Sequence, residues 1–312
     1  MTIVHVGGRV YMIDAEYHGR NGVLGTYVVK GDRSMVIDPG PTASIPGVVE
    51  GLEELGIRHG DLAYVAATHI HLDHTGGAWK LLELFPEARL HVHPRGSQHI
   101  ADPRQLESAA RQFFGDRVDD YGEIRGVPPN KITESSDGEW IDLGGARVRV
   151  IWTPGHSTHH QSYCLTEEGV TILGDAGGFY SASPEVIMPT SHPPFNPVKA
   201  VESLDRLIAL APDVVCYSHF GFAGGGVEKL RMHRSQVLLW CRIVEDGLNE
   251  GLGPEEMFKR VRSEDPMARR LGDFSRGREM ASLSNIAGFI EYFRWLKKSK
   301  QESSKIDRPL TQ

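Results

Sequence analysis

The run Thr68-His69-Ile70-His71-Leu72-Asp73-His74 puts three imidazoles and a carboxylate within six residues. Both side-chain types are common ligands of zinc and its first-row neighbours. The run follows Leu62-Ala63-Tyr64-Val65-Ala66-Ala67, an apolar stretch that reads as a buried strand. Gly76-Gly77 and a helical pattern through Trp79, Leu81, Leu82 and Phe85 come next. A strand that ends in a tight loop aims several side chains at one point. The plain alternative is a polar loop that happens to hold histidine, and three later segments weigh against it.

Val148-Arg149-Val150-Ile151-Trp152-Thr153 is strand-like and ends in Pro154-Gly155-His156-Ser157. Gly169-Val170-Thr171-Ile172-Leu173 ends in Gly174-Asp175-Ala176, and Asp213-Val214-Val215-Cys216-Tyr217 ends in Ser218-His219-Phe220-Gly221. Each delivers one His or Asp at the C-terminal edge of an apolar strand, the edge where open α/β layers bind ligands. His159 and His160 follow His156 closely; one of them is a candidate for orienting a ligand by hydrogen bonding, the other for a surface turn. His91 and His93 alternate with apolar residues and read as sheet-surface histidines.

On these residues the chain resembles the metallo-β-lactamase superfamily, and within it the glyoxalase II-like and lactonase-like hydrolases. The resemblance covers about residues 1–225 and rests on the H-x-H-x-D-H motif at His69, His71, Asp73 and His74, with His156, Asp175 and His219 in GHS, GD and SHFG motifs. Gly25-Thr26-Tyr27-Val28-Val29 and Met35-Val36-Ile37-Asp38-Pro39-Gly40 resemble the family's opening hairpin and D-x-G turn. The resemblance implies that His69, His71 and His156 hold one metal and that Asp73, His74 and His219 hold a second, with Asp175 bridging them. It implies two divalent ions per chain, zinc first, with iron, manganese or cobalt suited to the same ligands. It also implies an α/β fold, a four-layer αββα sandwich with the site at one edge between the sheets; the residue pattern itself shows only strands alternating with helices.

The implied reaction is hydrolysis of a lactone or other carboxylic ester by a hydroxide shared between two metals, which lie about 3.5–4 Å apart in such sites. Asp73 orients that nucleophile and carries a proton to the leaving group. Tyr180 is a candidate for polarising the substrate, as a Tyr shortly after the bridging Asp does in lactone-hydrolysing relatives, although it lies two residues further on than expected. Phe179, Tyr180, His192, Phe220 and Phe222 are the candidate substrate-binding residues. The first alternative is a glyoxalase II-like thioesterase, with Lys229, Arg231 and Arg234 either gripping glutathione or lining a solvated helix face. A single-iron persulfide dioxygenase and a ligand-binding or regulatory protein with weak activity follow. A secreted β-lactamase usually lacks an aspartate at the position of Asp175. A flavin-linked diiron reductase resembles H-x-E-x-D, where this chain has His71.

The elements that must position these residues are legible in outline. Short strands fill residues 3–67, with a helix at about 45–56, a second near 77–85 and a helical insertion at about 95–125; more strands run from about 131 to 173. Residues 226–312 form a C-terminal helical extension to the hydrolase domain of 1–225, with long helices from Val227 to Leu248 and about 278 to 298 and a polar tail fraying from Lys297. The extension is expected to cap the cleft or to form a homodimer face. The net charge of −7 and pI near 6.1 argue against nucleic acid and anionic membrane as partners and leave a small-molecule substrate. Cys164, Cys216 and Cys241 are unpatterned, and the start Met1-Thr2-Ile3-Val4-His5 carries no basic, apolar leader, so a reducing cytoplasm is the expected location.

Overall fold

The computed structural model describes residues 1–17, 19–271 and 283–306. The strand-forming runs of the first half build one sheet in sequence order: β1 (Thr2–Gly7), β2 (Val10–Asp14), β3 (Thr26–Val29), β4 (Ser34–Ile37), β5 (Leu62–Ala66), β6 (Arg89–Val92) and β7 (Ile132–Glu134). The pairing is antiparallel as far as β4 and parallel from β4 to β7. The second sheet holds β8 (Trp140–Asp142), β9 (Arg147–Trp152), β10 (Gln161–Leu165) and β11 (Val170–Ile172), and beyond a separate hairpin of β12 (Phe179–Ala182) and β13 (Glu185–Met188) it gains β14 (Val214–Cys216) and β15 (Phe222–Gly224). Its order is β15-β14-β11-β10-β9-β8, with β11 and β14 parallel.

The period of two along each strand sorts side chains between layers. Tyr27, Val29, Met35 and Ile37 face inward and pack with Val148, Val150, Tyr163 and Ile172 of the second sheet. Val28 and Val36, between them, face outward onto α1 (Ile45–Glu54) and α3 (Ala78–Leu84), through Val48, Leu52, Leu81 and Leu82. The second sheet turns Ile151, Cys164, Leu173 and Val215 outward onto α6 (Pro197–Ala209) and α7 (Gly226–Glu250). The result is helix, sheet, sheet, helix, the αββα sandwich that the resemblance implied.

β4 and β5 run parallel, as do β11 and β14, and β9 matches β11 through two antiparallel steps. Their C-terminal ends therefore share one edge of the sandwich, where Asp38, His69, His156, Asp175 and His219 follow. Between β6 and β7 the insertion forms α4 (Pro94–Ala101), α5 (Arg104–Phe114) and a 3₁₀ stretch over Gly115–Tyr121. It is tied back over the site edge where Thr42 Oγ1 and Trp79 Nε1 both donate to the Glu123 carbonyl, at 2.6 and 3.3 Å.

The C-terminal helices α7, α8 (Pro254–Glu264), α9 (Pro266–Leu271) and α10 (Leu283–Ile306) share a continuous core with the second sheet: Leu230, Val237, Trp240, Ile243 and Phe289 pack in the same cluster as Leu173, Val215 and Tyr217. Two expectations are corrected. The last helix continues past Lys297 to Ile306, and the part of its expected range at 278–282 lies outside the described residues. His91 and His93 are buried between the sheets; His91 pairs with Glu139 at 2.8 Å and Tyr163 at 3.1 Å, and His93 packs on the Trp152 ring. Among the described residues no helix is long and apolar enough to cross a membrane.

Candidate metal centre

β5 delivers Thr68 and His69 to the edge, and the short helix α2 (Leu72–Thr75) turns Asp73 and His74 back toward them. His69 Nε2 and His156 Nε2 lie 2.9 and 3.1 Å from His71 Nδ1. The other ring nitrogens of the first and last are engaged: His69 Nδ1 meets Thr68 Oγ1 at 3.1 Å, and His156 Nδ1 donates to the Thr190 carbonyl at 2.8 Å. Those contacts select the tautomers in which both Nε2 lone pairs point inward. Burial and the neighbouring imidazoles hold His69 and His71 well below the ordinary histidine range. Converging neutral imidazoles suit a cation.

A second group forms beside the first. His74 Nε2 lies 3.6 Å from Asp73 Oδ2 and 3.5 Å from Asp175 Oδ1, and His219 Nε2 lies 3.8 and 3.4 Å from the same two oxygens. Asp175 Oδ2 instead faces His156 Nε2, at 3.5 Å. The two oxygens of one carboxylate thus face one cluster each. Burial opposes charge on His74, but Asp73, Asp175 and Asp38 outweigh it and lift the imidazole to about 10. Burial likewise opposes charge on Asp175, and His219, His156 and His74 carry it well below the ordinary carboxylate range.

The donors fit divalent metals. Tetrahedral coordination at about 2.0–2.2 Å separates ligand atoms by roughly 3.3–3.6 Å; the pairs described above lie 2.9 to 3.8 Å apart, and all the ligand atoms of each group lie within 4.8 Å of one another. His74 Nε2 and Asp175 Oδ1 are buried without a hydrogen-bond partner, which a bound cation would satisfy. His69, His71 and His156 form one candidate ligand group, Asp73, His74 and His219 another, and Asp175 joins His69 and His74 in a third.

Asp38 organises the surroundings, and the sequence reading had noted it only as part of a turn. Its Oδ2 accepts from His74 Nδ1 at 3.0 Å, Thr68 Oγ1 at 2.7 Å and Ser218 Oγ at 2.7 Å, and its Oδ1 accepts from the Thr68 amide at 2.8 Å. One carboxylate thereby orients His74 and ties down the residues before His69 and His219. Of the two histidines after His156, His160 is the orienting one: its Nε2 accepts from the Asp175 amide at 3.0 Å while Nδ1 meets Thr153 Oγ1 at 2.8 Å. Gly174 takes φ +59° in this turn, and a Cβ there would lie 2.6 Å from His160 Nε2 and 2.7 Å from Thr68 Cβ. Tyr27 crosses between the sheets and donates to the Tyr217 and Gly221 carbonyls, holding the His219 loop.

The candidate substrate residues divide. Phe179 stacks on His219, with ring centroids 5.0 Å apart and planes 7° apart. Tyr180, the next residue on β12, faces the other way and stacks on Tyr217 at 4.7 Å, with Glu185 and Lys229 as its charged neighbours. The expected polarising role of Tyr180 is therefore corrected, because adjacent strand residues point to opposite faces. His192 lies close enough to the site for His156 to help burial lower it to about 4. Phe220 and Phe222 are partly buried and pack against the core between the sheets.

Residues 18–219 match the family model described as the metallo-beta-lactamase superfamily. A metallo-beta-lactamase fold-containing protein of Sulfurisphaera tokodaii is 31% identical over 236 residues, covering 74% of this chain and 79% of its own. A hydroxyacylglutathione hydrolase of a Synechococcus strain is 31% identical over 156 residues, 48% of each chain, so this chain spans about half of that relative. The solved structure of a metallo-beta-lactamase family protein from Thermus thermophilus shares the fold with a TM-score of 0.64 at 22% identity, over 93% of this chain and 94% of that one. With the His and Asp ligand candidates inside the matched span, this chain belongs to the metallo-beta-lactamase superfamily.

Proposed function

We propose that the chain is a metal-dependent hydrolase of carboxylic esters, lactones among them. The observation that carries this reading is the split carboxylate of Asp175, one oxygen toward each histidine cluster. His69, His71 and His156 would hold one divalent ion and Asp73, His74 and His219 the other, with Asp175 between them; zinc suits the donors best. Such ions supply Lewis acidity toward a carbonyl oxygen and bring a coordinated water's pKa down to about 7. The chain's own residues do the rest. Asp38 and His160 hold ligand orientation through the contacts described. Asp73 is the most solvent-open acid of the cluster, its side chain 24% exposed against 4% for Asp175, so it is the carboxylate placed to pass a proton to a leaving group. Phe179, stacked on His219, keeps one wall of the site apolar.

A thioester is the second reading, and relatives named hydroxyacylglutathione hydrolase support it. A glutathione grip by the basic residues of α7 has less support, since Lys229 is paired with Glu185 at 2.6 Å and Arg234 with Asp205 at 2.6 Å. Initial rates of the zinc-loaded protein on matched lactones, open-chain esters and glutathione thioesters separate the readings, with His71→Ala as the blank. Ester or lactone turnover well above the blank is the expected result. Preference for the thioester would move the assignment to the second reading, and no turnover of any would sink both.

A further inference from the structure

Five rings from three separate stretches of the chain meet in an unbroken series beside the metal centre. Tyr17 follows β2; its ring lies 5.9 Å from Tyr121 at the end of the insertion. Tyr121 meets Phe114 at 6.3 Å, Phe114 meets Phe113 at 4.8 Å, and Phe113 meets His192 at 5.0 Å. The series continues to α10, where Ser284 Oγ lies 3.2 Å from His192 Nε2.

Both ends are held next to the segments that carry the candidate ligands. α5, which carries Phe113 and Phe114, packs against α2, the short helix that carries Asp73 and His74. At the other end the loop that carries His192 is held to the site by Thr190, whose carbonyl accepts from His156 Nδ1 at 2.8 Å. The rim therefore lies beside the two clusters.

Two features bear on what it binds. Phe113 is 47% exposed, so its ring is open to a guest where it stands in this series. The last three ring pairs are close to perpendicular, at 83°, 77° and 79°. Perpendicular neighbours present a face, then an edge, so a guest ring finds a partner of opposite quadrupole sign; a linear alkyl chain gains only contact area.

We propose that this rim binds a flat aromatic group, so that the ester cleaved at the metal centre carries an aryl or arylalkyl acyl group in preference to a linear alkyl one. The inference rests on the ester-hydrolase reading above and names its substrate class.

The test pairs turnover with binding. Rates on phenylacetyl and hexanoyl esters of one alcohol are compared for wild type, Phe113→Leu and Tyr121→Leu, and calorimetry measures phenylacetate and hexanoate binding to the same proteins. Wild type should favour the phenylacetyl ester by about 3- to 10-fold in kcat/KM, mostly through KM. Both variants should bring that ratio close to one and weaken phenylacetate selectively; Phe113 is exposed, so its variant tests the ring with little risk to the fold. Equal or better use of hexanoyl esters by wild type, or a preference that survives both variants, overturns the proposal. Ring-dependent phenylacetate binding without hydrolysis of either ester supports the rim and sinks the hydrolase reading instead.

Discussion

The Asp38 carboxylate accepts four hydrogen bonds from three residues, and those residues stand 30, 36 and 180 positions along the chain from it. No local pattern carries that relation, which is why its role was not legible, whereas each candidate ligand sits directly after an apolar strand and was. Asp38→Asn should weaken zinc affinity at the His74 group by about 10- to 100-fold, as loss of an orienting partner usually does; competition with a chromophoric chelator measures it, and wild-type affinity would remove Asp38 from that role. Gly174 makes a different kind of contribution. With φ at +59° and no room for a Cβ, Gly174→Ala should destabilise the fold by about 2–4 kcal/mol. Urea unfolding checks this, and an unchanged midpoint would contradict the tight packing of His160 and Thr68 around the turn. Tyr180 was misread because Gly178, at φ +76°, resets the chain direction between Asp175 and β12. Counting from the aspartate therefore says nothing about which face a side chain joins.

Among the elements, strands were the easiest to foresee, since runs such as Val148 to Trp152 alternate inward and outward around two cores. The buried positions of His91 and His93 were not foreseen, because their partners Glu139, Tyr163 and Trp152 come from the opposite sheet. The C-terminal helices were visible as amphipathic runs, but the buried carboxylate that ties α7 to the junction of α8 and α9 was not. Asp265 is 1% exposed and accepts from Trp240 Nε1 and Gln236 Nε2, both at 2.8 Å, and from the Met267 amide. Asp265→Ala should lower stability by about 2–4 kcal/mol by leaving those donors buried and unpaired. Glu264→Ala, one residue earlier, breaks only the exposed pair with Arg242 and should change it by less than about 1 kcal/mol. Similar midpoints for the two variants in urea would show that Asp265 is not the anchor of α7 against α8 and α9.

At the scale of the whole molecule, acid should loosen the fold through buried histidines that are not candidate metal ligands. Burial lowers His233 to about 4, and lowers His93 to about 4 with help from Arg95. Unfolded histidine titrates near 6.5, so between about pH 6.5 and 4 the unfolded chain binds more protons than the folded one. Stability from these residues is fully present above about 6.5 and is lost as pH falls toward 4. For His233, fully buried, the loss reaches up to about 3 kcal/mol. Denaturant midpoints of wild type and His233→Gln should therefore draw together as pH drops from 7.5 to 4.5, and a constant gap would refute the assignment. The four-layer architecture was expected from the resemblance and a cap over the cleft was one of two expectations for the extension; the contacts that hold the insertion and α10 in place, such as Thr42 with Glu123 and Ser191 with Asn285, join distant segments and were not legible.

In the proposed reading, paired histidine clusters sharing Asp175 make this chain a two-metal ester hydrolase. The most direct measurement is the initial rate of ester hydrolysis as zinc is added stepwise to chelator-stripped protein. Activity should be absent without metal, rise with added zinc and level off at two equivalents per chain. Hydrolysis that proceeds without metal, or saturates at one equivalent, would contradict the paired centre.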